Sequence, residues 1–185
     1  VERVQAGALS RREQLAVGLP WSPELVERAR RSAGATPAAA RVAFEAGVGA
    51  NLGGGTHHAF AASGHGFCIF NDVVVAFRVL GAERRLRRVL IVDLDVHQGG
   101  GTHALRPGLS QAFTFSVNGF RNFPFRRVPG DLELDLEDGT GDDEYLGRLE
   151  PLLAEAIGRS RPEMAFYLAG ADPYAPPLID PNFFG

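Results

Sequence analysis

The chain contains no lysine. All 19 of its basic residues are arginine, set against 22 acidic residues, for a formal net charge of −3. The arginines scatter or fall in short clusters (Arg28, Arg30, Arg31; Arg84, Arg85, Arg87, Arg88) without aromatic interleaving. Neighbouring acids compensate them, which indicates solvated helix faces and excludes a nucleic-acid surface. No long apolar run is present, so a membrane-spanning helix is excluded, and no secretory signal is visible. Cysteine occurs once, at Cys68, so no internal disulfide can form; this suits a reducing, cytoplasmic compartment. Its apolar neighbours, Phe67, Ile69 and Phe70, make Cys68 a small buried hydrophobe. The chain begins with Val1 rather than Met, which leaves room for an upstream segment.

What is present points to one layered domain over residues 1–185, with no repeat, linker or low-complexity stretch. Residues 1–18 are helical in composition. Ser22 before Pro23 opens a helix expected to end near Ser32 at Gly34, and Thr36-Pro37 opens another as far as Glu45. The glycines from Gly47 to Gly55 fail the dinucleotide spacing, because Leu52 stands where the third glycine belongs. Asn71-Asp72 caps a helix from Val73 to Gly81. Strands are expected over 89–94, 111–117, 132–136 and 164–168, with an irregular loop over 118–131. Acids in the first turn after Gly141 start an amphipathic helix reaching Gly158. Alternating strands and helices mean an α/β fold, three αβα layers around a mostly parallel sheet.

The central stretch is Val89 to Gly101. Four aliphatic residues run into Asp93, Asp95 and His97, then into glycines, as a buried parallel strand entering a tight loop does. If the strand persists, Asp95 and His97 share a face. A carboxylate and an imidazole at the carboxyl end of such a strand make half a metal site. Alone, the stretch reads equally as helix caps and a loop histidine. Two further features accompany it: His57-His58 in a glycine-rich loop, and Asp172 after the last strand.

Six segments in order carry a resemblance: Gly54–Ala59, Gly66–Asp72, Val92–Gly99, Phe113–Val117, Asp138–Asp142 and Ala169–Pro173. Together they resemble the histone deacetylase family, in particular its class IV branch with bacterial members. The resemblance implies the arginase/deacetylase fold and hydrolysis of the amide of an acyl-lysine peptide or another acylated amine. It implies Asp95, His97 and Asp172 as zinc ligands, a three-ligand set that leaves a position open. His57 and His58 would be the proton-transferring pair, and Asp93 the carboxylate that orients His57. Gly66 and Phe67 would line the channel for the lysine stem, although Phe67 is equally a core residue. The main-chain oxygens of Asp93, Asp95, His97 and Val117, with the Ser116 hydroxyl, would hold potassium. Ser116 is also a plain strand serine. Neither nucleic acid nor membrane is an expected partner, and the oligomeric state is left open.

Two departures from the family pattern matter. Gly100 replaces the Asp or Asn that normally orients His58. The segment from Tyr174 to Gly185 replaces the family's further strands, with their Gly-Gly-Tyr oxyanion donor. The resemblance therefore implies a truncated, incomplete member, either an active deacetylase or an inactive remnant that keeps metal or partner binding. A two-manganese ureohydrolase of the same fold is disfavoured, because Asp180 is the only later acid and Gly100 is no ligand. His65 and His103 match no position and are read as surface loop residues.

Overall fold

The computed structural model describes residues 1–173. Expectations resting on Tyr174 and Asp180 lie outside the described residues. The fold is built on β1 (Val89–Asp93), in which every residue is buried. It is flanked by β2 (Ala112–Gly119) and β4 (Met164–Leu168), with β3 (Leu132–Leu136) beyond β2. The order is β3-β2-β1-β4 and every pairing is parallel. All four carboxyl ends therefore lie on one edge, with Asp93 level with Ser116 and Leu168.

Alternation along β1 creates the layers. Val89 and Ile91 face a core formed with Val73, Val74, Phe77 and Leu80, whereas Leu90 and Val92 face Leu149 and Ala156. The first set of partners belongs to α4 (Asp72–Ala82), the second to α6 (Asp142–Ser160). This is the expected αβα sandwich, with the sheet wholly parallel among the described residues. Truncating a β1 aliphatic such as Ile91 to Ala would cost about 3 kcal/mol through lost burial and a residual cavity. At the β4 edge, Tyr167 lies within the strand and is 62% exposed. No helix of the described chain is long and apolar enough to cross a membrane.

Residues 1–18, helical in composition, form two short helices, α1 (Glu2–Gln5) and α2 (Arg11–Val17), the second started by a Ser10–Glu13 capping box. Two local expectations are corrected. The two helices expected between 23 and 45 are one, α3 (Pro23–Ala46), capped by Ser22 and running through Gly34 and Pro37. An internal proline costs about 3 kcal/mol in an isolated helix. Here Ala33, Thr36, Pro37 and Ala40 are buried, and the Thr36 hydroxyl donates to Asp72 of α4 at 2.6 Å. Tertiary anchoring overrides the local stop signal. Finally, the glycines after His97 do not stay a loop: Gly100–Leu105 form α5, followed by a 3-10 turn at Arg106–Gly108.

Candidate metal and acid–base site

β1 ends at Asp93, so the shared strand face expected for Asp95 and His97 does not exist. A turn brings them together. The Asp95 Oδ1 accepts from the His97 backbone N–H at 2.8 Å, an Asx turn that folds the imidazole back onto the same carboxylate. His97 Nδ1 then lies 3.0 Å from Asp95 Oδ1 and 3.0 Å from Asp172 Oδ2, the latter supplied by the loop after β4. One ligand atom from each of the three residues lies within 4.8 Å of the others. Two carboxylates and an imidazole at that spacing fit a cation with 2.0–2.2 Å bonds. Gly170 makes the approach possible, because a Cβ there would lie 2.5 Å from Asp95 Oδ2 and 2.9 Å from Asp172 Oδ1.

The electrostatics agree with a cation position. Burial works to lower the His97 pKa, but hydrogen bonds to Asp172 and Asp95 outweigh it and raise the value to about 9. His97 in turn holds Asp172 below the ordinary carboxylate range. The position between the two acids is thus one that favours positive charge.

The second cluster is His57, His58 and Asp93. His57 Nδ1 lies 2.6 Å from Asp93 Oδ2, and both side chains are buried. Burial pushes the His57 pKa down, Asp93 pushes it up, and the net shift is upward. His58, whose ring is centred 4.1 Å away, goes the other way. Burial, then the charges of His57 and His97, push it down to about 3. Gly100 carries no side chain with which to orient His58. A Cβ at Gly100 would meet Phe60, Val128 and Pro124 at 3.7–3.8 Å.

The histidine loop is held by Asn71 and Asp72, which were read only as caps. Asn71 does cap α4, accepting from Val74, but its amide also reaches the carbonyls of His57 and Ala59. The buried Asp72 carboxylate accepts from the backbone N–H groups of Gly55 and Thr56 and from the hydroxyls of Thr36 and Thr56. These contacts span 12 to 36 residues, which is why the local motif could not show them.

Around the mouth, Gly66 has φ +49°, and a Cβ there would lie 2.5 Å from His58 Cδ2, so only glycine admits the ring. Phe67 follows with φ +64° and is 56% exposed, which rules out the core reading. Its ring rests on Gly18, where a Cβ would lie 2.9 Å from Phe67 Cε1. Phe123 was missed. Its ring stands edge-on to His58 at 5.2 Å and lies 6.4 Å from His97. Phenylalanines at 120, 123 and 125 in a segment without strand or helix periodicity were the available signal.

Other singled-out residues fall as follows. Ser116 and Val117 are buried in β2, and the Ser116 hydroxyl accepts from Asn118 at 3.2 Å. His65 lies in a loop, partly buried, its Nε2 3.1 Å from the Ser63 hydroxyl. His103 is no surface residue: it sits in α5, 2% exposed. Cys68 is buried as expected, and burial raises its thiol pKa to about 12.

Comparison with known proteins bears directly on this geometry. A family model described as the histone deacetylase domain matches residues 2–177. The chain belongs to the histone deacetylase family. Among relatives of this family member, an uncharacterized protein of Picosynechococcus sp. is 42% identical over 166 residues, covering 90% of this chain and 55% of that one. Histone deacetylase 2 of Arabidopsis thaliana is 35% identical over 147 residues, covering 77% of this chain and 38% of that one. The crystal structure of an HDAC homolog from Aquifex aeolicus superposes with a TM-score of 0.77 at 26% identity, covering 94% of this chain and 51% of that one. The chain thus spans about half the length of the relatives it matches.

Proposed function

We propose that this deacetylase-family chain carries a zinc-dependent centre that hydrolyses the amide of acyl-lysine peptides or related acylated amines. The observation that carries the reading is the convergence of Asp95, His97 and Asp172 beside the His57–Asp93 pair. Asp95, His97 and Asp172 would hold the zinc. When bound, zinc supplies Lewis acidity toward the amide carbonyl and lowers the pKa of a coordinated water. The chain's own residues handle the protons. His58 is the neutral member of the pair at pH 7 and is proposed as the general base on its position beside His57. His57, held by Asp93 and raised in pKa, supplies positive charge and a proton beside the leaving amine. Asp93 fixes which His57 nitrogen faces the reacting atoms. Gly66, Phe67 and Phe123 would flank the lysine stem and keep water away from it. Potassium belongs to the same proposal, at the Ser116 hydroxyl and the main-chain oxygens of Asp93, Asp95, His97 and Val117, all hard donors. A cytoplasmic setting is supported by the single, buried, unpaired thiol.

The test is turnover of acetyl- and longer acyl-lysine peptides by the zinc-loaded chain, read as release of the free amine. Hydrolysis is expected, and His58→Ala should lower it by about 10²–10⁴-fold. A second reading, an inactive protein that keeps metal binding, is favoured by Gly100 standing where the family carries Asp or Asn. Zinc binding without turnover on any acylated lysine or amine would establish that reading instead.

A further inference from the structure

The loop carrying Phe123 is anchored by groups that the proton chemistry does not use. Gln98, 1% exposed, follows His97 directly. Its backbone N–H donates to the Phe123 carbonyl at 3.3 Å. Its side-chain amide grips Val128 from both sides: Nε2 donates to the Val128 carbonyl at 3.1 Å, and Oε1 accepts from the Val128 N–H at 3.0 Å. The second Nε2 hydrogen goes to Glu133 Oε1 at the start of β3. The other Glu133 oxygen accepts from the Gly130 N–H at 3.2 Å. His103, 2% exposed, donates from Nδ1 to the same Val128 carbonyl at 2.9 Å. Every donor and the acceptor of the Gln98 amide is used, and only one amide orientation satisfies them all.

We propose that Gln98, with Glu133 and His103, is a clamp that positions the 120–131 loop and thereby sets the gap between Phe123 and His58. In this reading Gln98 is a positioning residue that limits the girth of the acyl-bearing chain admitted to the site. A loop of this length without helix or strand of its own has few internal contacts to hold a ring in place. The clamp substitutes an amide for a neighbouring strand: it pairs with both backbone groups of one residue, as a ladder partner would. A carboxylate at position 98 could accept from Val128 but could not donate to Glu133, and would face it as a like charge. Exchanging the two residues restores one donor between them. The consequence for acyl selectivity rests on the hydrolase reading above; the consequence for the loop does not.

The lysine-free sequence supplies a direct probe. Trypsin can cut only after arginine here, and the loop holds Arg121, Arg126 and Arg127. On the intact folded chain, Q98E should accelerate cleavage after Arg126 and Arg127 by about a hundredfold. The double variant Q98E/E133Q should return it to within about tenfold of wild type, and Q98M should fall between them. Zinc content should be unchanged in all three. On acyl-lysine peptides, Q98M should raise KM for acetyl-lysine more than it lowers kcat, and shift preference toward bulkier acyl groups. If Q98E fails to fold, Q98M carries the test alone. Loop cleavage unchanged in Q98M, no rescue by E133Q, or equal acceleration at Arg78 and Arg148 would each overturn the clamp. Failure of the wild type to turn over any substrate would remove the hydrolase reading and leave the clamp to the proteolysis result.

Discussion

His57 and His58 are adjacent in sequence and buried, with ring centroids 4.1 Å apart and ring planes tilted by 47°, yet their pKa values shift in opposite directions. His57 faces the Asp93 carboxylate and has a raised pKa; His58 faces the rings of His57, His97 and Phe123 and is pushed down to about 3. Burial disfavours the charged form of both. The difference is one carboxylate at 2.6 Å. A tandem histidine therefore does not report two equivalent groups, and partner geometry sorts them into one imidazole that favours the charged form and one that favours the neutral form.

The largest way to break the comparison is Asp93→Ala. It leaves His57 buried without its counter-ion and should cost about 3–5 kcal/mol of stability in the metal-free protein at pH 6. The sign of the pH dependence follows from the raised pKa. Stabilisation by the pair is fully present below the ordinary value of 6.5 and is lost as pH rises through the folded-state value. Urea denaturation of wild type and variant across pH 5.5 to ~10 should show the gap narrowing upward; a gap that widens would mean His57 is held neutral.

A smaller effect sharpens the same contrast. His58 should stay neutral from pH 7 down to 5 in the metal-free protein, read from imidazole NMR shifts. Titration near 6.5 would place its ring in solvent. Cys68, packed near His58, should likewise resist alkylation at pH 8, because its thiol is raised to about 12. Rapid modification of the folded protein would show that the loop opens. The smallest effect lies far from the histidines: Ser10→Ala removes the α2 cap and should cost only about 1 kcal/mol, leaving the His57–His58 contrast untouched.

Much of this arrangement was legible in the sequence, for a physical reason. β1 is a run of aliphatics buried on both faces, so its position, its parallel neighbours and the acids at its carboxyl end followed from hydrophobic pattern. Asp95, His97 and Asp172 could be nominated because they follow strands β1 and β4 closely. Their convergence required the Asx turn at Asp95, which no periodicity encodes. The failures share a cause. Pro37 continues a helix because Thr36 is tied to Asp72, and His103 is buried because the 120–131 loop folds over it. Asn71 and Asp72 read as caps from their neighbours, although their larger work is done on residues 12 to 36 positions away. Local rules describe local contacts; the loops around the site are held by distant ones.

The central claim is that Asp95, His97 and Asp172 form one metal site. The most direct measurement is zinc content by elemental analysis of the purified chain beside Asp172→Ala and His97→Ala. The account predicts close to one zinc per wild-type chain and none held tightly by either variant. A full zinc equivalent retained by either variant, or a folded wild-type chain that takes up none, would contradict it.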